Sequence, residues 1–265
     1  MSGGAPPFLD VALAVAALAA AAPAAASEGP ICADRPGKAN GTCTVPARRV
    51  QVETGLVSWS HDRRDGVRAD DVSLLETAIK LGLTDRSHLE LDIAPYAWSR
   101  VNGQSRRGFG DVAVRYKHRL TAGDARVEIA ASPFVKLPTA SPHVGNGKVE
   151  GGVAFPSDYS LTESLGLTLG PELDLVADAD GRGRHLALVN VISLSAPLAP
   201  RVTISGDIWN AVDFDPSGST RQWSAGASLA WLAANALQLD LGANFGLNRN
   251  TPDIELYLGV ARRFR

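Results

Sequence analysis

The residues of this chain that could carry chemistry are acids and bases at every second position of aliphatic segments. In the segment 88–93, His88, Glu90 and Asp92 alternate with leucine and isoleucine. A period of two indicates a β-strand with one charged face and one apolar face. The charged residues on such faces are Glu53, Glu90, Asp92, Asp111, Arg115, Lys117, Glu128, Lys136, Glu172, Asp174, Asp207, Asp240 and Glu255.

These charges can do one of two things if they face a narrow interior. Unpaired charges in a low-dielectric space are too costly, so they must pair with each other or line water. In one reading they form a salt-bridged filling that closes the interior. In the other they border a solute path and tune its selectivity. The residues that we predict to line this path are Glu90, Asp92, Asp111, Arg115, Lys117, Glu128, Lys136, Glu172 and Asp174.

Catalysis has weaker support. Ser141 and His143 lie close together, but the loop-forming sequence around them favours a solvated loop over a catalytic dyad. The five histidines show no metal-binding spacing, and the strings GNGK and GRGR lack the full phosphate-binding pattern and are interpreted as turns. We therefore expect no enzyme activity, cofactor or metal.

The elements that must position these charges are about twelve strands joined by alternately long and short connections. The clearest are in the final hairpin, Leu237 to Phe264, where the alternation is broken only at Arg262. Long predicted loops include 61–70 and 101–108, whereas short turns include 84–86. Strands of about 10 residues, an even strand number and this loop asymmetry are typical of an up-and-down antiparallel β-barrel of the outer membrane.

A soluble barrel would show the same alternation with its apolar face inward. Three features favour the membrane: an export signal, Phe264 close to the C-terminus as in strands that barrel-assembly machinery binds, and tryptophans near strand ends. Counting alternate positions along their strands places Trp98 and Trp209 on the lumen side. The tryptophans therefore form only part of the aromatic girdle that is expected at the membrane interface. Pro95, Pro133, Pro156 and Pro171 fall inside predicted strands, where bulges or strand ends must accommodate them.

The N-terminal region predicts export. An apolar run ending in small residues predicts a signal peptide over 1–26, although it has no Lys or Arg. Residues 27–48 are expected to form a periplasmic segment with a disulfide between Cys32 and Cys43, and 49–265 the barrel. The chain is 45% hydrophobic and has a net charge of −2, which suggests no nucleic-acid partner; lipid and a small solute are the expected partners.

Four segments resemble a known family. DRPGKANGTCTVPARRVQVETGLVSW at 34–59, GDVAVRYKHRL at 110–120, PFVKLPTA at 133–140 and the long segment 149–178 are similar to the outer-membrane transporters of the MetA-pathway of phenol degradation family. Where such proteins commonly have Pro-Ala-Gly before the first strand, this chain has Pro46-Ala47-Arg48. The resemblance implies an outer-membrane β-barrel that passes small aromatic or apolar compounds. A closed barrel with a structural or surface-interaction role is the alternative.

Overall fold

The computed structural model describes residues 29–122 and 125–264, and every regular element in these ranges is a strand. No helix in the described ranges has the length and apolar character that crossing a bilayer requires. The predicted signal peptide at 1–26 lies outside them. The strands are β1 (Val50–Arg64), β2 (Val67–Thr84), β3 (Ser87–Ile93), β4 (Tyr96–Val101), β5 (Gln104–Gly108), β6 (Val112–Arg119), β7 (Val127–Leu137), β8 (Glu150–Ala154), β9 (Ser157–Ser160), β10 (Gly166–Leu169), β11 (Glu172–Ala177), β12 (Arg184–Ala199), β13 (Val202–Asp213), β14 (Thr220–Ala234), β15 (Leu237–Gly246) and β16 (Ile254–Phe264).

These segments make twelve barrel strands, as the sequence predicts. Four of the twelve are each broken into two segments: β3 with β4, β5 with β6, β8 with β9, and β10 with β11. All neighbouring strands are antiparallel, and β1 pairs with both β2 and β16. The sheet is therefore a closed meander, and its free edge among the described strands is at β5, which pairs with β4 alone.

The prolines explain most of the broken strands. Pro95, Pro156 and Pro171 lie in the gaps between β3 and β4, β8 and β9, and β10 and β11, where no ladder bond is required of them. Pro133 stays within β7 and pairs with Val153. On its other side, the β6–β7 register is interrupted between Arg115↔Phe134 and His118↔Ala131.

Two of the predicted loops are hairpins instead. The segment 61–70 continues β1 and β2 and turns only at Asp65-Gly66, and 101–108 turns at Asn102-Gly103. All four of these turn residues have positive φ, the geometry of the two-residue turns that suit twisted strands. The prediction of two long loops was wrong because their many charged residues were interpreted as loop residues, and the Asp-Gly and Asn-Gly turn signals were overlooked.

The aliphatic rows face outward and the polar rows face inward. On β15, Leu241 and Phe245 are 56% and 50% exposed, whereas Asp240 and Asn244 are 6% and 4% exposed. The other strands follow the same pattern, with large apolar side chains on the outside and buried polar ones on the inside. A soluble barrel would show the reverse, so the predicted sidedness is confirmed.

Irregularities change which face a residue occupies. In β1, a bulge between Gly55 and Val57 shifts the pairing with β16. The break between β3 and β4 acts similarly: Trp98 pairs with Val72 and Arg107 on the outer face, contrary to the parity expectation. Trp209 faces the lumen, as parity predicts, and contacts Lys38 there.

Candidate functional site

The barrel interior contains the segment that precedes β1. Residues 29–48, which we name the plug segment, run from the short-turn end of the barrel into the lumen. At that end, the Ile31 N–H donates to the Asn235 carbonyl oxygen and the Arg48 N–H to that of Gly82. The periplasmic location predicted for this segment stays a prediction. In the structure, the segment fills part of the lumen.

A disulfide closes the plug segment into a loop. Cys32 and Cys43 are bonded, with Cα atoms 6.3 Å apart, in agreement with the predicted pair. The side-chain amide of Gln51 on β1 donates to the Cys32 carbonyl oxygen at 2.8 Å. The bridge thus holds the charged residues between the two cysteines close to the inner wall.

Asp34 is the centre of the strongest charge cluster in this loop. Its carboxylate accepts hydrogen bonds from Lys80 at 2.6 Å and from Lys117 at 2.8 Å. Lys80 also contacts Glu53 and lies 3.8 Å from Glu90. The side chains of both lysines are at most 2% exposed, so their ammonium groups depend on these carboxylates for compensation.

Arg35 packs against a part of the barrel wall that consists of glycines. Its guanidinium donates to Asp240 at 3.0 Å and its carbonyl oxygen accepts from Gln238 at 3.0 Å. Gly55 and Gly259 are paired across β1 and β16, and a Cβ on Gly259 would lie 2.4 Å from Arg35 Nε. A side chain at position 259 would displace the guanidinium, which occupies the space that the Cβ would need.

Lys38 and Thr42 fix the rest of the loop. Lys38 Nζ is 3.1 Å from Glu255 and 5.1 Å from the centre of the Trp209 ring. Thr42 donates from both its N–H and its hydroxyl to Asp158, each at 2.7 Å, and the hydroxyl lies 3.1 Å from Glu128. The plug segment therefore bonds to strands on several sides of the barrel.

All nine predicted lumen residues point into the interior, but only some contact the plug segment. Lys117 and Glu128 bond to it directly, and Glu90 approaches it through Lys80. Arg119 is also 3.8 Å from Glu128. Their role in a solute path stays a prediction.

Five of the remaining six residues form two groups nearer the long loops, and the sixth, Asp92, lies apart from both. Lys136 is 2.7 Å from Asp111 and 3.1 Å from Glu150. Arg115 lies 3.6 Å from Glu172 and 4.5 Å above the Phe134 ring. Asp174 is a further member of this second group. It lies so close to Gly152 that a Cβ on that glycine would clash with Asp174 Oδ1. Asp92 lines a cavity beside Asp34.

Two polar cavities adjoin the plug segment. One, of about 300 Å³, is lined by Lys38, Trp209 and Glu255 and by residues of β1, β2 and the long loops. The other, of about 390 Å³, is lined by residues 34–37 together with Lys80, Asp92 and Arg115. Glu76 borders both cavities, so the two are neighbours along the plug segment, and their linings are rich in carboxylates.

Sequence reasoning missed Asp34, Arg35, Lys38 and Lys80. A signal was available: the thirteen charges assigned to inward faces comprise ten acids and only three bases. Such an excess requires further cations, and Arg35 and Lys38 stand in the disulfide loop just before the barrel.

Away from the plug segment, two other side-chain groups have structural explanations. The Ser141 hydroxyl accepts from the Phe109 N–H at 3.0 Å, which fits the predicted loop role. At the long-loop end, Asp178, His185 and Asp215 bring ligand atoms within 4.8 Å of one another. The His185 ring nitrogens already contact Asp178 and Asp213 at 2.8 and 2.7 Å.

The carboxylate of Asp215 in this group is stabilised by donors of its own loops. Hydrogen bonds from Ser217 and from the Ala179 N–H hold the pKa of Asp215 below its ordinary value. The hydrogen bonds of this group thus connect two long loops.

Comparisons with solved structures agree with the fold. The COG4313 outer membrane channel from Pseudomonas putida F1 is similar with a TM-score of 0.66 and 14% identity, over 87% of this chain and 99% of that one. The translocator domain of the autotransporter NalP from Neisseria meningitidis is similar with a TM-score of 0.52 and 13% identity, over 83% and 90% of the two chains. At these identities the likeness concerns the fold.

The sequence identifies the family. No curated protein matches the chain significantly. A family model described as "Putative MetA-pathway of phenol degradation" matches residues 33–264, a range that includes the plug segment from Ala33 onward and almost the whole barrel. With its outward aliphatic belt and closed meander, the chain is an outer-membrane β-barrel, and it belongs to this family.

Proposed function

We propose that this protein is an outer-membrane channel for small molecules whose lumen is narrowed by the plug segment. The observation that carries the proposal is the pair of polar cavities against the plug segment, which share Glu76. A filling that only stabilised the barrel would not need such space. The nine predicted lumen residues are the proposed lining of the solute path.

The charges of the lumen support a preference among solutes. The cavity near the long loops has Asp71, Glu76 and Glu255 in its lining against one cation, Lys38. Carboxylates that line a water-filled path favour cations and disfavour anions. We therefore expect passage of small cations and neutral polar compounds ahead of anions.

Small aromatic compounds are the solute class that the family description suggests. Trp209 offers an aromatic surface in the cavity lining, and the carboxylates around it can accept a hydrogen bond from a phenolic hydroxyl. A phenol thus matches the chemistry of this cavity better than a purely aliphatic compound does.

Single-channel recording in planar bilayers tests the proposal on the mature chain. We expect small, cation-preferring currents that phenol reduces and that cyclohexanol, of similar size but without an aromatic ring, reduces less. Equal block by the two compounds would remove the aromatic preference and leave the channel proposal intact.

The alternative is a closed barrel with a structural or surface-interaction role. The buried ion pairs of Asp34 favour it, because they hold the plug segment in place. If neither the natural chain nor a variant with a loosened plug segment passes ions, the channel proposal fails and the closed barrel replaces it.

Two further expectations belong to the same proposal. The final strand, which ends at Phe264 and pairs with the first, is proposed as the contact for barrel-assembly machinery. The outward aliphatic belt is proposed to contact outer-membrane lipid directly.

A further inference from the structure

Four exposed arginines lie together on the outer surface of the barrel, near the long-loop end. They belong to the β1–β2 and β4–β5 hairpins, which extend beyond the neighbouring strands. We name this set the outer arginine patch: Arg63, Arg68, Arg100 and Arg107.

Strand register places the patch on the lipid side of the wall. Trp59 pairs with Leu256, which is 43% exposed in the outward aliphatic belt, and paired residues share a face. The same row continues through Val72 and Trp98 to Arg107. The patch is therefore on the outside, and the lumen charges are on the opposite face.

The height of the patch matches the membrane interface. Trp59 and Trp98 are outward tryptophans, which mark the boundary between hydrocarbon and headgroups. Arg100 lies two residues beyond Trp98, and two residues of a strand advance about 7 Å. Arg63 and Arg68, which pair with each other, are one row further out. Arg107 thus lies at the boundary itself, in the row of the tryptophans, and the other three arginines lie at headgroup level and just above it.

The charge of the patch is only partly compensated. Asp70 is paired with the patch in the same rows and lies 3.2 Å from Arg68 and 2.8 Å from His61. Asp253 accepts a hydrogen bond from the backbone N–H of Arg63 at 3.0 Å. Nearby Asp65 and Asp62 pair with Arg249 and Arg64. The ion pairs of the described residues include none to Arg63, Arg100 or Arg107.

We propose that the outer arginine patch binds the phosphate groups of lipopolysaccharide in the outer leaflet. The long-loop end of such a barrel faces the cell exterior, where this phosphorylated glycolipid is the surrounding lipid. Arginine binds phosphate through two parallel N–H donors. The tryptophans Trp59 and Trp98, one to two rows below Arg63, Arg68 and Arg100, would lie against the acyl chains of the same lipid.

Binding of defined lipids to the mature protein in detergent, measured by native mass spectrometry, tests this. The probes are bisphosphorylated lipid A and the same lipid after removal of both phosphates. The test variant is R63Q/R100Q/R107Q. The control, R182Q/R221Q/R249Q, removes the same charge from other long-loop positions.

We expect the natural chain and the control to bind bisphosphorylated lipid A at least tenfold more tightly than the test variant does. The natural chain should also bind the dephosphorylated lipid at least tenfold more weakly. Equal binding by test variant and control, or equal binding of the two lipids by the natural chain, overturns the proposal. The lipid comparison uses the natural chain alone, so the proposal is decided even if the test variant fails to fold.

Inorganic phosphate separates a lipid site from a general anion site. Millimolar phosphate should displace less than half of the bound lipid A, because it lacks the acyl chains that lie against the tryptophans. Complete displacement would overturn the assignment to lipopolysaccharide.

Discussion

The ammonium group of Lys117 donates to both carboxylate oxygens of Asp34, each at 2.8 Å, although the two residues are 83 positions apart. Lys117 belongs to the barrel wall and Asp34 to the plug segment. This contact joins the two parts of the molecule, and the side chains of Lys117 and Asp34 are 1% and 13% exposed. A small number of charged contacts of this kind holds the plug segment against the wall.

Removing the charge of Asp34 should weaken the barrel and open the lumen. D34N leaves the ammonium groups of Lys80 and Lys117 with less compensation. Breaking a buried pair from one side costs about 3–5 kcal/mol. We expect a loss of free energy of unfolding of this order, measured by urea titration in lipid vesicles, and a larger single-channel conductance.

D65N is the matched control for D34N. Asp65 lies at an exposed hairpin tip and pairs only with exposed Arg249, so the expected change is below about 1 kcal/mol. Equal stability of the two variants would contradict the central role of Asp34.

A methyl group on Gly259 should displace the side chain of Arg35. In G259A the new Cβ would meet the guanidinium at 2.4 Å, whereas in G206A the nearest atom lies at 3.9 Å. We expect G259A to displace Arg35 from Asp240 and to raise conductance, with G206A unchanged. Single-channel recordings of the two variants make the comparison, and identical conductance would mean that Arg35 does not help to hold the plug segment.

Reduction of the disulfide should expose the plug segment to protease. Lys38 is inside the lumen against Glu255, so trypsin should not cut after it while Cys32 and Cys43 are bonded. In C32S/C43S we expect cleavage between Lys38 and Ala39 to become at least tenfold faster, detected by mass spectrometry.

Cleavage after Arg182, in an exposed loop, is the internal reference for this experiment and should proceed equally in both proteins. Unchanged protection of Lys38 would show that ion pairs alone immobilise the loop.

An arginine in the aliphatic belt should destabilise the barrel according to its depth. Leu241 lies in the middle of β15 and Leu247 just beyond its end, and both are more than half exposed. We expect L241R to cost about 2–4 kcal/mol in a bilayer and L247R about 0–1 kcal/mol. Unfolding in lipid vesicles measures both, and equal costs would place the hydrocarbon layer elsewhere.

Ion selectivity should depend on Glu76. This residue borders both cavities, so E76K replaces a carboxylate on the proposed path with an ammonium group. We expect the reversal potential in a KCl gradient to shift toward that of chloride, and E76Q to give an intermediate value. An unchanged reversal potential in both variants would exclude Glu76 from the path.

The local pattern of the chain was enough to predict most of the wall. The alternation of apolar and charged residues gave the strand type, the barrel class, the number of strands and the inward direction of all nine predicted residues, Glu90 and Lys117 among them. Cys32 and Cys43 were predictable because an exported chain with two nearby cysteines favours a bridge. The alternation depends on residues that are one or two positions apart in the chain, and such residues can be read directly from the sequence.

Tertiary structure alone decided where the plug segment goes and which charges meet. The contacts of Asp34 with Lys80 and Lys117 span 46 and 83 positions, and they depend on barrel closure and stagger, which no local pattern encodes. The bulge after Gly55 and the break before Tyr96 also reassign faces, so Trp98 points outward despite its parity. A period of two specifies the face of a residue only within an unbroken strand, whereas an ion pair across the lumen requires the complete closed wall.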